Sequence, residues 1–317
     1  MKSRALCEGG PRISEVGFGA GPFRGLDWGP VSDETSVRAV HRALDVGVTL
    51  FDTADAYGNG RSERVLGRAL EGRREHVVLA TKGGWWYVDG APCCDFSTIY
   101  LIRALQASLQ CLRTDYIDLY YIHDPDTETI QRGDIFELLT RMKEAGTIRL
   151  AGVSVDTAEQ GRLCIESGCV DVLQIYYSIL DQRPDPGLFE AARNAGVGTV
   201  IKAPLARGLL SGKYLKDARF PRGDFREDWR MNGRLQRALA QVARVEALVR
   251  GRSPSLAQTA LRFVLSHQDV SCVIPGAKTP GQAEANAAAS EMGPLDEADL
   301  DALKMLYREM AGPIDAR

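Results

Sequence analysis

Eight short apolar runs, rich in β-branched residues, punctuate the chain at intervals long enough to hold a helix between neighbours. They are ISEVGFG (13–19), VTLFDT (48–53), HVVLATK (76–82), YIDLYYIH (116–123), TIRLAGVS (147–154), VDVLQIYY (170–177), VGTVIKAP (197–204) and VSCVIPG (270–276). Between them, apolar residues recur three and four apart. Val37, Val40 and Leu44 precede the second run, Ile102, Leu105, Leu109 and Leu112 the fourth, and Ile135, Leu138, Leu139 and Met142 the fifth. The runs read as strands and the intervening stretches as amphipathic helices. Gly47, Gly146, Gly168 and Gly196 stand where those helices must stop. Alternating strands and helices predict parallel βαβ units. Eight of them predict an α/β fold of the (β/α)8 kind, a closed parallel barrel rather than an open doubly wound sheet. The open sheet also lacks its nucleotide fingerprint: Gly17, Gly19 and Gly21 are not GxGxxG, and no helix follows them directly.

A barrel of this kind takes about 250 residues, and the chain has 317. The surplus falls to the N-terminal segment, a long connection from Lys202 to a helix starting near Leu235, and a final helix over Leu295–Met310. Without repeats or a low-complexity linker, residues 1–317 read as one domain. A hydrophobic content of 44% excludes disorder. Balanced charge, 39 basic against 42 acidic residues, offers no footprint for nucleic acid. No apolar run is long enough for a membrane span, and MKSRALCEGGPRIS at the start lacks the apolar stretch of a signal peptide. Seven cysteines without framework spacing fit reduced thiols in a cytoplasm. Four scattered histidines, with no CxxC or HExxH pattern, predict no metal site.

Chemistry in such a barrel sits at the C-terminal ends of the strands. The polar residues there are Asp52, Lys82, His123, Ser154 and Gln174, with Tyr57 in the loop after Asp52. Singly, each has a plainer reading as a cap, a packing residue or a solvated strand end. Together they form a proton-transfer set. A phenol titrating near 10 is a sluggish donor, and a neighbouring ammonium lowers that value. A carboxylate would hold the ammonium in place, and an imidazole could hydrogen-bond a carbonyl oxygen. Tyr57 would then protonate that oxygen as hydride reaches the carbon. Side chains supply no hydride, so a cofactor must.

The segments FDTADAYG (51–58), ATKGG (80–84), LYYIHDPD (119–126) and VIPGAKTPGQAEAN (273–286) resemble the aldo-keto reductases, in that family's order. The likeness starts at VGFGA (16–20), spans nearly the whole chain, and is nearest the bacterial branch with PGAK after the last strand. It implies a tetrad of Asp52, Tyr57, Lys82 and His123 and an NADPH-dependent reduction of a small carbonyl substrate, an aldehyde, ketone or keto-sugar. It also implies NADP(H), with NAD(H) as the alternative, bound across the barrel mouth without a Rossmann domain. By the same resemblance Ser154 and Gln174 hold the carboxamide. The segment APLARGLL (203–210), with Pro204, Leu205 and Gly208, passes beside the pyrophosphate. Gly276, Lys278 and Gln282 lie toward the adenosine ribose, Lys278 facing a 2′-phosphate, and Asn286 lies toward the adenine.

Two positions depart from the family pattern. Val155 follows Ser154 where many members have asparagine, and Lys202 stands where many have an aromatic residue. Lys202 is therefore expected beside the cofactor or substrate. Trp85 and Trp86, with His123, are expected to wall the substrate pocket from a loop after the third strand that also holds Tyr87. Arg24, Trp28, Phe225 and Trp229 are further candidates. GLLSGKY (208–214) lacks phosphate-loop spacing, and PRGDFREDWR (221–230) carries enough acids to pair with itself. Two rival functions stand beside this one: a cofactor-binding sensor resembling potassium-channel β subunits, and a Schiff-base aldolase acting through Lys82 or Lys202, in which Asp52 and Tyr57 would lack a role.

Overall fold

The structure is a computed structural model and describes residues 1–310 except 26–27, 185–186, 215–217, 221–223, 225, 228, 230–232 and 252. An antiparallel hairpin of β1 (Ser3–Ala5) and β2 (Arg12–Ser14) comes first. Then β3 (Phe18–Gly19), β4 (Leu50–Asp52) and β5 (Val78–Gly83) begin a parallel sheet. A second antiparallel hairpin, β6 (Trp85–Val88) with β7 (Ala91–Cys94), follows β5 directly. The sheet resumes with β8 (Ile117–His123), β9 (Ile148–Ser154), β10 (Val172–Tyr176), β11 (Gly198–Lys202) and β12 (Cys272–Val273).

Among the described residues, the eight parallel strands pair in chain order from β3 to β12. Parallel bridges from Val16 to Val273 and from Gly19 to Gly276 join the last strand to the first. The backbone amide of Gly19 donates to the Pro275 carbonyl at 3.0 Å and that of Val273 to the Glu15 carbonyl at 3.0 Å. The expected (β/α)8 barrel therefore closes.

Two expectations need correcting. The first run, 13–19, is not one strand: Ser14 ends the hairpin and only Phe18–Gly19 forms a barrel strand. Trp85, Trp86 and Tyr87 lie not in a loop but on β6, where a run of aromatic and β-branched residues finds a second strand to pair with.

Helical crossovers carry the chain back between parallel strands. They are α1 (Asp33–Asp45), α2 (Arg61–Ala69), α3 (Thr98–Leu112), α4 (Thr127–Arg132) with α5 (Asp134–Glu144), α6 (Ala158–Glu166) and α7 (Gly187–Asn194). After β11 come α8 (Arg234–Val249) and α9 (Leu256–Leu265), and after β12 come α10 (Pro280–Ala287) and the final α11 (Glu297–Glu309). Local chemistry marks the ends. Ser32 accepts from the Thr35 amide to cap α1, and Gly47 takes the left-handed turn (φ 86) that sends the chain into β4. The last helix packs on α8, where Arg244 reaches Glu309 at 2.7 Å. Among the described residues, no helix is long and apolar enough to cross a membrane.

Side chains alternate across each strand, and that alternation builds the interior. Leu50, Ala80, Leu119, Tyr121, Val172 and Val200 share one buried cluster with Leu6 and Ile13 from the N-terminal segment. Their neighbours Phe51, Leu79, Tyr120, Leu173 and Ile201 belong to the larger cluster under the helices. Two residues further along the inward row stand Asp52, Lys82, His123, Gln174 and Lys202. The period of two thus carries every one of these polar groups to the inner face at the strand ends.

The barrel seam leaves no room for a side chain at Gly19, where an added Cβ would lie 2.8 Å from the Ile274 carbonyl oxygen. The variant Gly19→Ala is expected to lose about 1–3 kcal/mol of stability by overpacking. Equilibrium denaturant unfolding measures it, and an unchanged midpoint would show that the seam can yield there.

Candidate active site

Lys82 has no exposed surface, and its ammonium donates to Asp52 Oδ1 at 2.6 Å and to the Thr53 carbonyl at 2.7 Å. Gln174 donates to the other Asp52 oxygen at 2.8 Å. Two donors on one buried carboxylate fit its ionised form. The Lys82 ammonium lies 5.2 Å from the centre of the Tyr57 ring, and the His123 ring meets Tyr57 edge-on at 5.9 Å. Acid, ammonium, phenol and imidazole therefore come together at one mouth. His123 Nδ1 is buried with no hydrogen-bond partner among the described residues.

Burial dominates the titration of this group. It pushes the His123 imidazole down to about 3, with Asp124 opposing and Lys82, Lys202 and Arg24 reinforcing. His123 is neutral at physiological pH. Burial alone would lower the Lys82 ammonium, yet Asp52 and Tyr57 hold it above its ordinary value. Burial also raises the Tyr57 phenol more than Lys82 lowers it. The expectation of a phenol brought below its ordinary value is thus overturned: the ammonium pulls in the predicted direction, but desolvation is the larger effect.

A second, half-buried ion cluster adjoins the first. The Lys202 ammonium donates to Asp124 Oδ1 at 2.5 Å and to Ser154 Oγ at 2.8 Å, and it lies 3.7 Å from Asp156. Ser154 donates to the same Asp124 oxygen at 2.6 Å, and the ammonium sits 4.2 Å from the centre of the Tyr176 ring. Burial would raise the Asp124 carboxyl, but Lys202, by charge and hydrogen bond, and the Ser154 hydroxyl hold it below its ordinary value. Ser154 and Lys202 are thus joined in one network, and Gln174 belongs to the other. Asp124, absent from the expected site residues, stands beside His123 in the HDPD segment, and only the contact with Lys202 marks it.

The Tyr57 turn and the β6–β7 hairpin are tied together. The Asn59 amide donates to the Tyr87 carbonyl at 2.8 Å and accepts from the Tyr87 amide at 3.0 Å. The Trp85 indole donates to the His123 carbonyl at 2.6 Å, whereas Trp86 stacks on Tyr100 of α3 at 4.8 Å. Nothing in the spacing marks Asn59, whose partner exists only once the hairpin forms.

The connection after β11 is strained. Ala203, Ala206 and Arg207 all have positive φ (50, 46 and 54), beside Gly208 at 96. Non-glycine residues hold such conformations only where the surroundings enforce them, commonly at ligand sites. Beyond it, Lys278 donates to the carbonyls of Trp28 and, at 3.1 Å, Gly29. Burial and the nearby Arg226 and Lys213 lower its ammonium, with Asp224 opposing. Gln282 accepts from the Lys278 amide at 2.7 Å, and Asn286 donates to the Gly276 carbonyl at 3.4 Å. The Arg226 guanidinium lies 4.9 Å from the Trp28 ring, and Trp229 is buried in the main core. Arg226 grips Asp224 at 2.8 and 2.5 Å, so this part of 221–230 does pair with itself. Phe225 lies outside the described residues.

The barrel and its polar mouth belong to a recognisable class. The Aldo/keto reductase family profile matches residues 15–308, and the chain is a member of that family, oxidoreductases for which carbonyl reduction is the general activity. It is 33% identical over 88% of its length to aldo-keto reductase yakc of Schizosaccharomyces pombe, whose name specifies NADP(+), covering 84% of that protein. The holo form of aldo-keto reductase AKR11C1 from Bacillus halodurans superposes with a TM-score of 0.81 at 30% identity, covering 96% of each chain. The glycerol dehydrogenase AKR11B4 from Gluconobacter oxydans gives 0.82 at 29% identity, covering 99% of this chain and 97% of its own.

Two outcomes follow from these charges. Between about pH 6.5, where an unfolded histidine titrates, and the native value near 3, the unfolded chain binds a proton at position 123 that the native state refuses. Stability is therefore lost as pH falls through that window. In His123→Phe the slope of Tm against pH should be shallower there, and parallel slopes would contradict a neutral buried imidazole. Separately, Asp124→Asn takes the nearer carboxylate from Lys202, leaving Asp156 at 3.7 Å, and should cost about 1–3 kcal/mol. The double variant with Lys202→Met should recover part of that loss, as read from denaturant midpoints.

Proposed function

We propose that this chain reduces an aldehyde or ketone to the alcohol, using NADPH and with Tyr57 as the proton donor. The observation that carries the reading is the Tyr57 ring lying 5.2 Å from a Lys82 ammonium that Asp52 grips at 2.6 Å, with the His123 ring on its edge. In this reading the substrate carbonyl oxygen sits between the Tyr57 hydroxyl and the neutral His123 imidazole. His123 donates a hydrogen bond that orients the oxygen, and Tyr57 hands over its proton. Lys82 steadies the phenolate left behind, Asp52 and the Thr53 carbonyl hold Lys82, and Gln174 holds Asp52. Burial keeps Tyr57 protonated until the transfer and keeps water from competing for the hydrogen bonds.

The residues present fit a phosphate-bearing dinucleotide: Arg226 and Lys213 both lie within electrostatic reach of Lys278, and Arg226 meets the Tyr214 hydroxyl, which a Cβ on Gly208 of the strained turn would approach to 2.8 Å. The nicotinamide would supply the hydride when bound. We assign its carboxamide to Ser154 and Gln174, the ring to the neighbourhood of Lys202, and the pyrophosphate to the turn containing Pro204, Leu205 and Gly208. Gly276, Lys278, Gln282 and Asn286 would take the adenosine end, Lys278 favouring a 2′-phosphate as a point charge. Trp85 and Trp86 are assigned to the substrate side. The seven cysteines, all among the described residues, are unpaired, which supports a reducing, cytoplasmic setting.

A Schiff-base reaction needs a neutral lysine amine. Lys82 faces a buried carboxylate at 2.6 Å and Lys202 a half-buried one at 2.5 Å, each favouring the charged form, which argues against that rival.

The test is NADPH oxidation with a panel of aldehydes and ketones. Tyr57→Phe should lose at least about 100-fold in kcat while binding NADPH as the parent does. Full activity in that variant would remove Tyr57 as donor. Tight cofactor binding with negligible turnover across the panel would favour the sensor reading instead.

A further inference from the structure

The short 3-10 turn Gly21–Arg24 follows β3 and wraps the Tyr57 turn. A Cβ placed on Gly21 would lie 3.6 Å from Tyr57 Cε2, and one on Gly58 would lie 2.4 Å from the Arg24 carbonyl oxygen. Arg61 of α2 anchors this turn, donating to the Phe23 carbonyl at 2.7 Å and the Val31 carbonyl at 2.8 Å. The result brings the Arg24 guanidinium carbon 4.7 Å from the centre of the Tyr57 ring, inside the 5.2 Å of the Lys82 ammonium. Both lie within the range of a cation–π contact.

We propose that Arg24 is a positioning residue for the proton transfer: it holds the Tyr57 ring through its π face and stabilises the phenolate that forms when the proton leaves. The proposal rests on the reading of Tyr57 as proton donor. The proton moves from Tyr57 Oη to the substrate oxygen, the phenol O–H bond breaks, and the electron pair stays on Oη until solvent returns a proton. A negative charge formed in a desolvated site is costly unless fixed positive groups face it. The charged and titratable groups around Tyr57 are Lys82 on β5, Asp52 on β4, Arg24 on the turn after β3, and His123 with Asp124 at the end of β8. Burial and the two carboxylates oppose the phenolate, and Lys82 and Arg24 favour it. His123 is neutral and contributes orientation rather than charge. Lys82 alone must also answer Asp52, so the second cation matters for the charge on Tyr57.

Arg24→Met and Arg24→Lys test this. The pH profile of kcat/KM for alcohol oxidation, the direction that requires the phenolate, should move to higher pH in Arg24→Met, and kcat should fall about tenfold, equivalent to one pK unit. KM and the NADPH dissociation constant should be unchanged, and Arg24→Lys should recover most of the loss. Fluorotyrosine incorporated at position 57, more acidic than tyrosine, gives a readout without turnover: its phenolate absorbance should titrate at higher pH once Arg24 is methionine. Superimposable titrations in the two backgrounds would overturn the proposal, as would an effect confined to KM for carboxylate-bearing carbonyls. Retained activity in Tyr57→Phe would instead sink the donor reading, while the fluorotyrosine titration still reports on Arg24. Thermal unfolding of each variant verifies that the barrel is intact.

Discussion

A lysine with no exposed surface must have its charge answered inside the protein, because removing an ammonium from water costs several kcal/mol unless well-placed partners repay it. Lys82 meets that condition with Asp52 and the Thr53 carbonyl, and Asp52 in turn is held by Gln174. The three side chains come from β4, β5 and β10, so the contact needs a sheet curled far enough to bring non-neighbouring strands face to face. The barrel and this network are therefore mutually dependent. Closure at the β3–β12 seam creates the interior, and the interior pair fixes the orientation of what faces Tyr57.

The lower interior is apolar, filled by Leu6, Ile13, Leu50, Leu119, Tyr121, Val172 and Val200. The upper interior is ionic, with the carboxylate–lysine pairs Asp52–Lys82 and Asp124–Lys202. This division lets one scaffold serve two ends. Apolar packing below supplies stability, and the polar layer above maintains charges in a place where water is scarce and electrostatic effects are correspondingly strong. The Lys202–Asp124–Ser154 cluster belongs to that layer, so Lys202 is not merely a lost aromatic ring. Its charge has a built partner, and Asp124 and Lys202 have to be understood together.

The β6–β7 hairpin and the turn after β3 act on the mouth, whereas the N-terminal segment sends Leu6 and Ile13 into the lower interior. The β6–β7 hairpin is pinned through Asn59 and Trp85, and the turn carrying Arg24 through Arg61. Asn59 belongs to the turn that carries Tyr57, Trp85 reaches the carbonyl of His123, and Arg61 opens the helix that follows the Tyr57 turn. Part of the surplus length over a plain barrel therefore sits at the mouth, while the N-terminal segment and α11 pack elsewhere.

Strand number, order and parallel sense were legible in the sequence because buried parallel strands need continuous apolar runs and amphipathic returns. The same period of two that faces Leu50 inward faces Asp52 inward, which is why the acid, lysine, histidine and glutamine could be listed before any contact was known. Ser14 and Trp85 were misjudged because both hairpins are local antiparallel pairs, and the partner strand decides whether an apolar stretch becomes a strand or a loop. Tertiary structure alone decided the titration of Tyr57, the pairing of Lys202 with Asp124 and the approach of Arg24 to the phenol. Those depend on desolvation and on distances across the barrel between residues far apart in the chain, and neither quantity is written in residue type or spacing.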